Sequence, residues 1–167
     1  HAVTAAGAAF FLKEFEGKLS PYISRDSAVL EIGSGTGFAT SVISKLAGSI
    51  IITDASLELL GVNHNRRPQP AAICCPTESL PFLEGVFDCV IGNNTFYLVP
   101  DKDEGAQQIS KILKKGGRFI ISEMNPFHPL WPLRFTLSGR WFERGVYQLF
   151  PGRMRKRFEK AGMEIEV

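Results

Sequence analysis

The 167-residue chain reads as one three-layer α/β domain built on a doubly wound, mostly parallel sheet. Two observations point there. Short apolar runs of about five residues alternate with longer stretches whose apolar side chains recur at helical spacing, and the first such run ends in a glycine-rich turn. Parallel strands joined by right-handed helical crossovers account for both. Sheets of this kind bind ligands beyond the carboxyl ends of their strands, where the strand order reverses.

The elements follow in order. Residues 1–27 form an N-terminal helical segment, with Phe10, Phe11, Phe15 and Leu19 at roughly helical spacing. Ala28 to Ile32 is a buried strand running into the glycine turn. Phe38, Val42, Ile43 and Leu46 make one face of a helix that Gly48 stops. Ile50 to Thr53 is the second strand, and Ser56 caps a helix to about Asn63. Ala71 to Cys75 and Phe87 to Ile91 are the third and fourth strands. Asp101 with Glu104 resembles a capping box. The helix it opens carries Ile109, Ile112 and Leu113 on one face and ends at Gly116-Gly117. Arg118 to Ser122 is the fifth strand. Residues 124–150 are rich in proline and aromatics without a clean period. A last helix runs from about Gly152 to Ala161, and Met163 to Val167 begins a sixth strand.

Composition narrows the function. A hydrophobic fraction of 44% supports a real core, and a net charge of +2 is too small to argue for nucleic acid. The basic residues concentrate from Arg134 onward. Three cysteines give no disulfide framework, and no Cys or His spacing suits a metal. Buried, reduced thiols of a cytoplasmic protein are expected, with one of the adjacent Cys74 and Cys75 facing the core. No apolar stretch approaches the roughly 20 residues of a membrane span, and no signal peptide is visible.

The sharpest chemical signal is Val29-Leu-Glu-Ile-Gly-Ser-Gly-Thr-Gly37. Gly33, Gly35 and Gly37, with Ser34 and Thr36 between them, follow a strand and precede a helix. Such a loop turns tightly and lets the backbone approach a ligand. A nicotinamide fingerprint wants its third glycine at position 38, where this chain has Phe38. A dinucleotide dehydrogenase is disfavoured accordingly. Asp54, at the end of the second strand, can accept hydrogen bonds from both hydroxyls of a ribose. With Glu31 it also supplies negative charge for a cationic ligand, which suits a sulfonium better than a pyrophosphate.

The glycine loop resembles motif I of class I S-adenosyl-L-methionine-dependent methyltransferases. Glu78-Ser-Leu-Pro-Phe82, Phe87-Asp-Cys-Val-Ile91, Val99-Pro-Asp101 and Ile112-Leu-Lys-Lys-Gly-Gly-Arg-Phe-Ile120 resemble the later motifs. In detail the chain is similar to the ubiquinone/menaquinone-biosynthesis methyltransferase-like small-molecule group, over about residues 28–123. The resemblance implies a Rossmann-like methyltransferase fold whose core, 28–123, binds the cofactor. Gly33, Gly35 and Gly37 would lie against its methionine part, and Glu31 would hold its amino group. Asp54 would hold the ribose, and Ala55 would line the adenine. Thr77 and Glu78 would sit at the adenine edge, and Asn93 would offer a backbone carbonyl. Many relatives carry an Asp two residues before the Glu of the Glu-x-Leu-Pro-Phe stretch. Pro76 stands there in this chain, so the adenine contact passes to Thr77 or to backbone.

Asn94 and Tyr97 are expected to face an acceptor pocket. The fourth strand ends Gly92-Asn-Asn-Thr-Phe-Tyr97, without the Asn-Pro-Pro-aromatic signature of methylases that modify nucleic-acid bases. Residues 124–150 lie where relatives carry a substrate-covering insertion. Phe127 and Trp131 could grip an apolar acceptor, or the aromatics there could simply pack on the sheet. His128 and Tyr97 are weak candidates for a base, and no residue is an obvious one. The basic aromatic region 131–157 could meet a membrane surface. The expected activity is in-line methyl transfer to a small, apolar or amphipathic acceptor, and the rival is a non-catalytic cofactor-binding or scaffold domain. Residues 151–167 would be the last helix and the start of the sixth strand. The family's final antiparallel strand is then missing, and the natural gene would continue for about ten to twenty residues.

Overall fold

A computed structural model describes residues 5–66, 70–123 and 151–164. The element order is α1 (Ala5–Leu19), β1 (Ala28–Ile32), α2 (Thr40–Leu46), β2 (Ser49–Asp54), α3 (Leu57–Arg66), β3 (Ala71–Cys74), β4 (Phe87–Asn93), α4 (Lys102–Ile112), β5 (Leu113–Ser122) and α5 (Pro151–Lys160). Two 3-10 turns, Thr77–Ser79 and Phe96–Leu98, connect β3 to β4 and β4 to α4. Among the described residues the strands form one sheet in the order β3-β2-β1-β4-β5, every pair parallel. The order reverses between β1 and β4, which puts the ligand crevice at their carboxyl ends.

Two cores show why the strands read as continuous apolar runs. Neighbouring residues of a strand point to opposite faces. In β1, Leu30 joins Val90, Phe96, Ile109, Ile112 and Phe158 on the α4–α5 face. Its neighbour Val29 joins Phe15, Leu19, Val42, Ile43, Cys89 and Ile91 on the α1–α2 face. Helices thus cover both faces, giving the three layers. Arg157 to Asp103 at 2.6 Å and Ser110 Oγ donating to Ala161 O at 2.7 Å tie α5 to α4.

Several expectations are corrected. The helix expected to reach Gly116 ends at Ile112, and Leu113 already pairs with Phe87. The amides of Gly85 and Val86 donate to Lys111 O and Ile112 O, so the approaching β4 captures the last helical carbonyls. A register shift between Phe87 and Cys89 then absorbs the residues before Arg118. A Cβ on Gly117 would sit 2.9 Å from Lys114 O and 3.1 Å from Phe87 O, so this corner admits no side chain. Phe38 lies in the turn before α2 and is 39% exposed rather than on the helix's buried face. Gly48 ends α2's surroundings for a steric reason: a Cβ there would meet Arg25 O at 2.2 Å. Of the adjacent cysteines, Cys74 is exposed while Cys75 is half-buried and packs against the α4–α5 core, as expected of one of the pair; Cys89 is buried. Met163 and Glu164 are not in a strand, and residues 165–167 of the expected sixth strand lie outside the described residues. No described helix is long and apolar enough to cross a membrane.

Candidate active site

The glycine loop leaves the carboxyl end of β1 with Gly33, Gly35 and Gly37 all in the left-handed region, at φ of 58°, 52° and 89°. These angles favour glycine strongly. The loop is pinned from below: Ser34 N–H donates to Thr53 O at 2.9 Å and Gly37 N–H to Ser34 O at 2.9 Å. A Cβ on Gly33 would lie 1.7 Å from Thr95 Oγ1, so the loop packs directly on the segment after β4. Nothing lies within 4 Å of a Cβ built on Gly35, which borders open space. Ser34 is buried, and its Oγ has no hydrogen-bond partner among the described residues. Thr36 is exposed.

Asp54 ends β2 beside this loop and is 9% exposed. Its Oδ2 accepts from Gly35 N–H at 2.7 Å and its Oδ1 from Ser56 N–H at 2.8 Å. Each oxygen keeps lone-pair capacity for a further donor. Glu31 is 2% exposed, and its Oε2 accepts from Thr40 Oγ1 at 2.6 Å, while Asn63 Nδ2 donates to Thr40 Oγ1 at 2.9 Å. This buried relay runs from α3 through α2 to the acid.

Ala55 is exposed at the end of β2, where its carbonyl lies 3.7 Å from Cys74 Sγ. Thr77 and Glu78 are half-buried in the first 3-10 turn. Glu78 Oε1 accepts from Asp101 N–H at 3.1 Å. The expected capping box is therefore half formed by another acid: Asp101 Oδ1 caps Asp103 and Glu104, but Glu104 accepts from Gln108 instead of reaching back. Asn93 ends β4, and its Oδ1 is buried without a partner among the described residues. Asn94 is exposed in the left-handed region at φ 50°, with its N–H donating to Ser122 O at 2.7 Å. Tyr97 is half-buried in the second 3-10 turn. Phe127, His128 and Trp131 lie outside the described residues.

Residues 30–121 match the family model described as a methyltransferase domain. The chain belongs to that methyltransferase family. It is 31% identical over 109 residues to the ubiquinone/menaquinone biosynthesis C-methyltransferase UbiE of Cellvibrio japonicus, covering 60% of this chain and 44% of that protein. It is 30% identical over 99 residues to the biotin biosynthesis bifunctional protein BioHC of the same organism, covering 59% and 20%. The chain thus spans less than half the length of these curated relatives. Among solved structures, it is similar to a SAM-dependent methyltransferase of Thermotoga maritima, titled a possible histamine N-methyltransferase. The TM-score is 0.76 at 21% identity, over 95% of this chain and 73% of that one. The [4+2]-cyclase SpnF gives 0.74 at 19%, over 92% and 58%. Both share the fold.

Two site residues carried no motif signal. Glu123 follows β5 directly, and burial pushes its carboxyl up to about 7 against the pull of the Thr95, Phe96 and Tyr97 amides and of Lys102. Its Oε1 accepts from Phe96 N–H at 2.6 Å and Thr95 N–H at 3.2 Å, so it holds the turn that carries Tyr97. Lys102 is 4% exposed and donates from Nζ to Val99 O at 2.7 Å; burial lowers its pKa. An acid placed immediately after an apolar strand was the signal available for Glu123.

Proposed function

We propose that residues 28–123 are the cofactor-binding core of an S-adenosyl-L-methionine-dependent methyltransferase, acting by in-line displacement on a small, apolar or amphipathic acceptor. The observation that carries this reading is the left-handed glycine loop at the switch point, with open space at Gly35, an unpartnered buried Ser34 Oγ and Asp54 alongside. When bound, the cofactor supplies an electrophilic methyl group on a sulfonium. In this reading the loop Gly33 to Gly37, Ser34 and Thr36 included, receives its methionine part, and the backbone carbonyl of Asn93 accepts from the ammonium. Asp54 receives the ribose hydroxyls through its remaining lone pairs. Ala55, Thr77 and Glu78 border the adenine, with Glu78 fixed by Asp101. Glu31, fixed at Oε2 by Thr40, holds the amino group in this reading, as the resemblance implies.

Asn94 and Tyr97 then face the acceptor, with residues 124–150 as its cover. The protein's part in catalysis is orientation and exclusion of water. A nucleic-acid substrate does not fit the end of β4, which lacks the base-methylase signature. A small cytoplasmic acceptor fits better. A second reading, a cofactor-binding or scaffold domain without methyl transfer, is favoured by Pro76, which stands where many relatives carry an Asp near the adenine. Titration calorimetry tests the first step: S-adenosyl-L-methionine should bind and NAD should not. Methyl transfer from labelled cofactor to small-molecule acceptors then separates the two readings, and cofactor binding without turnover on any acceptor would favour the second.

A further inference from the structure

Helix α3 buries Leu60 and Asn63, three residues apart and so on one face. An apolar side chain is the ordinary occupant of such a face. Asn63 nonetheless has no exposed surface, and its Oδ1 is buried without a partner among the described residues. Burying an amide with an unmatched oxygen costs stability, and the contact that offsets the cost is made by the nitrogen. Asn63 Nδ2 donates to Thr40 Oγ1 at 2.9 Å, and Thr40 Oγ1 donates to Glu31 Oε2 at 2.6 Å.

The chain of donors has one direction. A hydroxyl has a single proton and two lone pairs. The Asn63 amide occupies a lone pair of Thr40, and a carboxylate has no proton to give, so the hydroxyl proton lies on the line to Glu31. Without Asn63 the hydroxyl can turn instead to a backbone carbonyl of the preceding turn, the usual alternative for a threonine in a helix. The fold puts this relay at the glycine loop. Glu31 alternates with Leu30 and so shares the α1–α2 face of β1 with Val29. It stands two residues before Gly33, and Thr40 opens α2 on the far side of the loop. All three side chains of the relay are buried, which shields its bonds from water.

We propose that Asn63 is a positioning residue for recognition of the cofactor's amino group: acting through Thr40, it fixes the Glu31 carboxylate so that its negative charge meets the ammonium of the methionine part. The inference rests on the methyltransferase reading and deepens it, by adding a residue of α3 to the amino-group subsite. A charge already held in place meets a cation without first being ordered, so the bond costs less to form. The ligand class selected is an adenosyl thioether or sulfonium that carries an α-amino group, against the same nucleoside thioether without one.

Titration calorimetry on the whole chain tests this with two ligands. S-adenosylhomocysteine carries the amino group without the sulfonium, and its deamino analogue keeps the adenosine, thioether and carboxylate. The parent should bind the first about tenfold more tightly or better. Asn63→Leu, of similar volume but without a donor, should weaken S-adenosylhomocysteine about five- to tenfold and the deamino analogue by less than about twofold. Thr40→Val should lose at least as much with the same ligand preference. Adding Asn63→Leu to Thr40→Val should cost no more than about a further twofold, because Asn63 acts through Thr40. In the parent, the side-chain amide NMR signals of Asn63 should move when S-adenosylhomocysteine binds and not when the deamino analogue does, a readout that needs no variant to fold. Equal weakening of both ligands in Asn63→Leu would mark a merely structural residue and overturn the proposal. Unchanged affinity in that variant, additive losses in the double variant, or Asn63 signals that respond alike to the two ligands would overturn it too. A parent that binds both ligands equally would do the same, since the amino group then meets no fixed charge. Failure of the parent to bind either ligand would instead overturn the methyltransferase reading beneath it.

Discussion

Gly33 has no room for a methyl group: the nearest atom, Thr95 Oγ1, would be 1.7 Å away, and the backbone is left-handed besides. Gly35 shares the backbone angle but borders open space. The two glycines therefore predict different outcomes. Gly33→Ala should lower stability by a few kcal/mol, through both the clash and the strain, as chemical denaturation would show. Gly35→Val should cost only about 1–3 kcal/mol yet abolish S-adenosyl-L-methionine binding, since its side chain enters the space a ligand would take. Asp54→Ala should weaken binding by roughly 1–3 kcal/mol; calorimetric affinity equal to the parent's for both would mean the site lies elsewhere. Glu123 makes a stability prediction of its own. Its folded pKa, about 7, lies above the ordinary glutamate value, so the folded state binds the proton more tightly than the unfolded one. Its stabilising contribution is full below about pH 4 and is lost as pH rises through 7, by up to about 3 kcal/mol. Glu123→Gln should flatten that fall in denaturation curves between pH 5 and 8; an unchanged slope would show that the carboxyl titrates normally. The loop was legible because contiguous residues form it, and Asp54 because it ends an apolar strand about 20 residues beyond the first glycine. Glu123, Lys102 and the Thr40–Asn63 relay were not, because each depends on partners twenty or more residues away or on burial that no local pattern records.

At the level of elements, strands and helices declared themselves where burial followed a simple period. The β1 and β4 runs are buried along nearly their whole length. The errors fell where tertiary contacts overrode local pattern. Leu113 continues the apolar stripe of α4 but belongs to β5, because Gly85 and Val86, leading into β4, take the helix's last carbonyls. The Asp101-x-x-Glu104 spacing suggests a reciprocal cap, whereas Glu78, from the earlier 3-10 turn, accepts the Asp101 N–H. Asp101 still caps two amides of α4. Asp101→Ala should therefore cost about 1 kcal/mol, and Glu78→Ala less than that, as measured by urea denaturation. The far end of the fold depends on Phe158, 4% exposed, whose ring centroid lies 5.2 Å from those of both Phe96 and Phe119. Phe158→Ala should cost about 3–5 kcal/mol. If it costs under 1 kcal/mol, α5 is not part of the cooperative core.

Across the whole molecule, the strand order β3-β2-β1-β4-β5 gathers the glycine loop, Asp54, Asn93 and Glu123 along one edge of the sheet, although they span 91 positions of sequence. That convergence follows from topology alone: every strand is parallel, so every carboxyl end faces the same side. A ligand bound along that edge contacts segments from several strands and must stabilise them together. At a concentration one hundred times its dissociation constant, it should add about 2.7 kcal/mol to the folded state. For a chain of this size that corresponds to a rise in Tm of roughly 5–10 °C. S-adenosyl-L-methionine and S-adenosylhomocysteine should both produce it, and NAD at the same concentration should not. The rise should vanish in Gly35→Val and shrink in Asp54→Ala, since those changes act on the site rather than on the core. Equal shifts with NAD, or a full shift in Gly35→Val, would mean that the loop at the end of β1 does not hold the ligand.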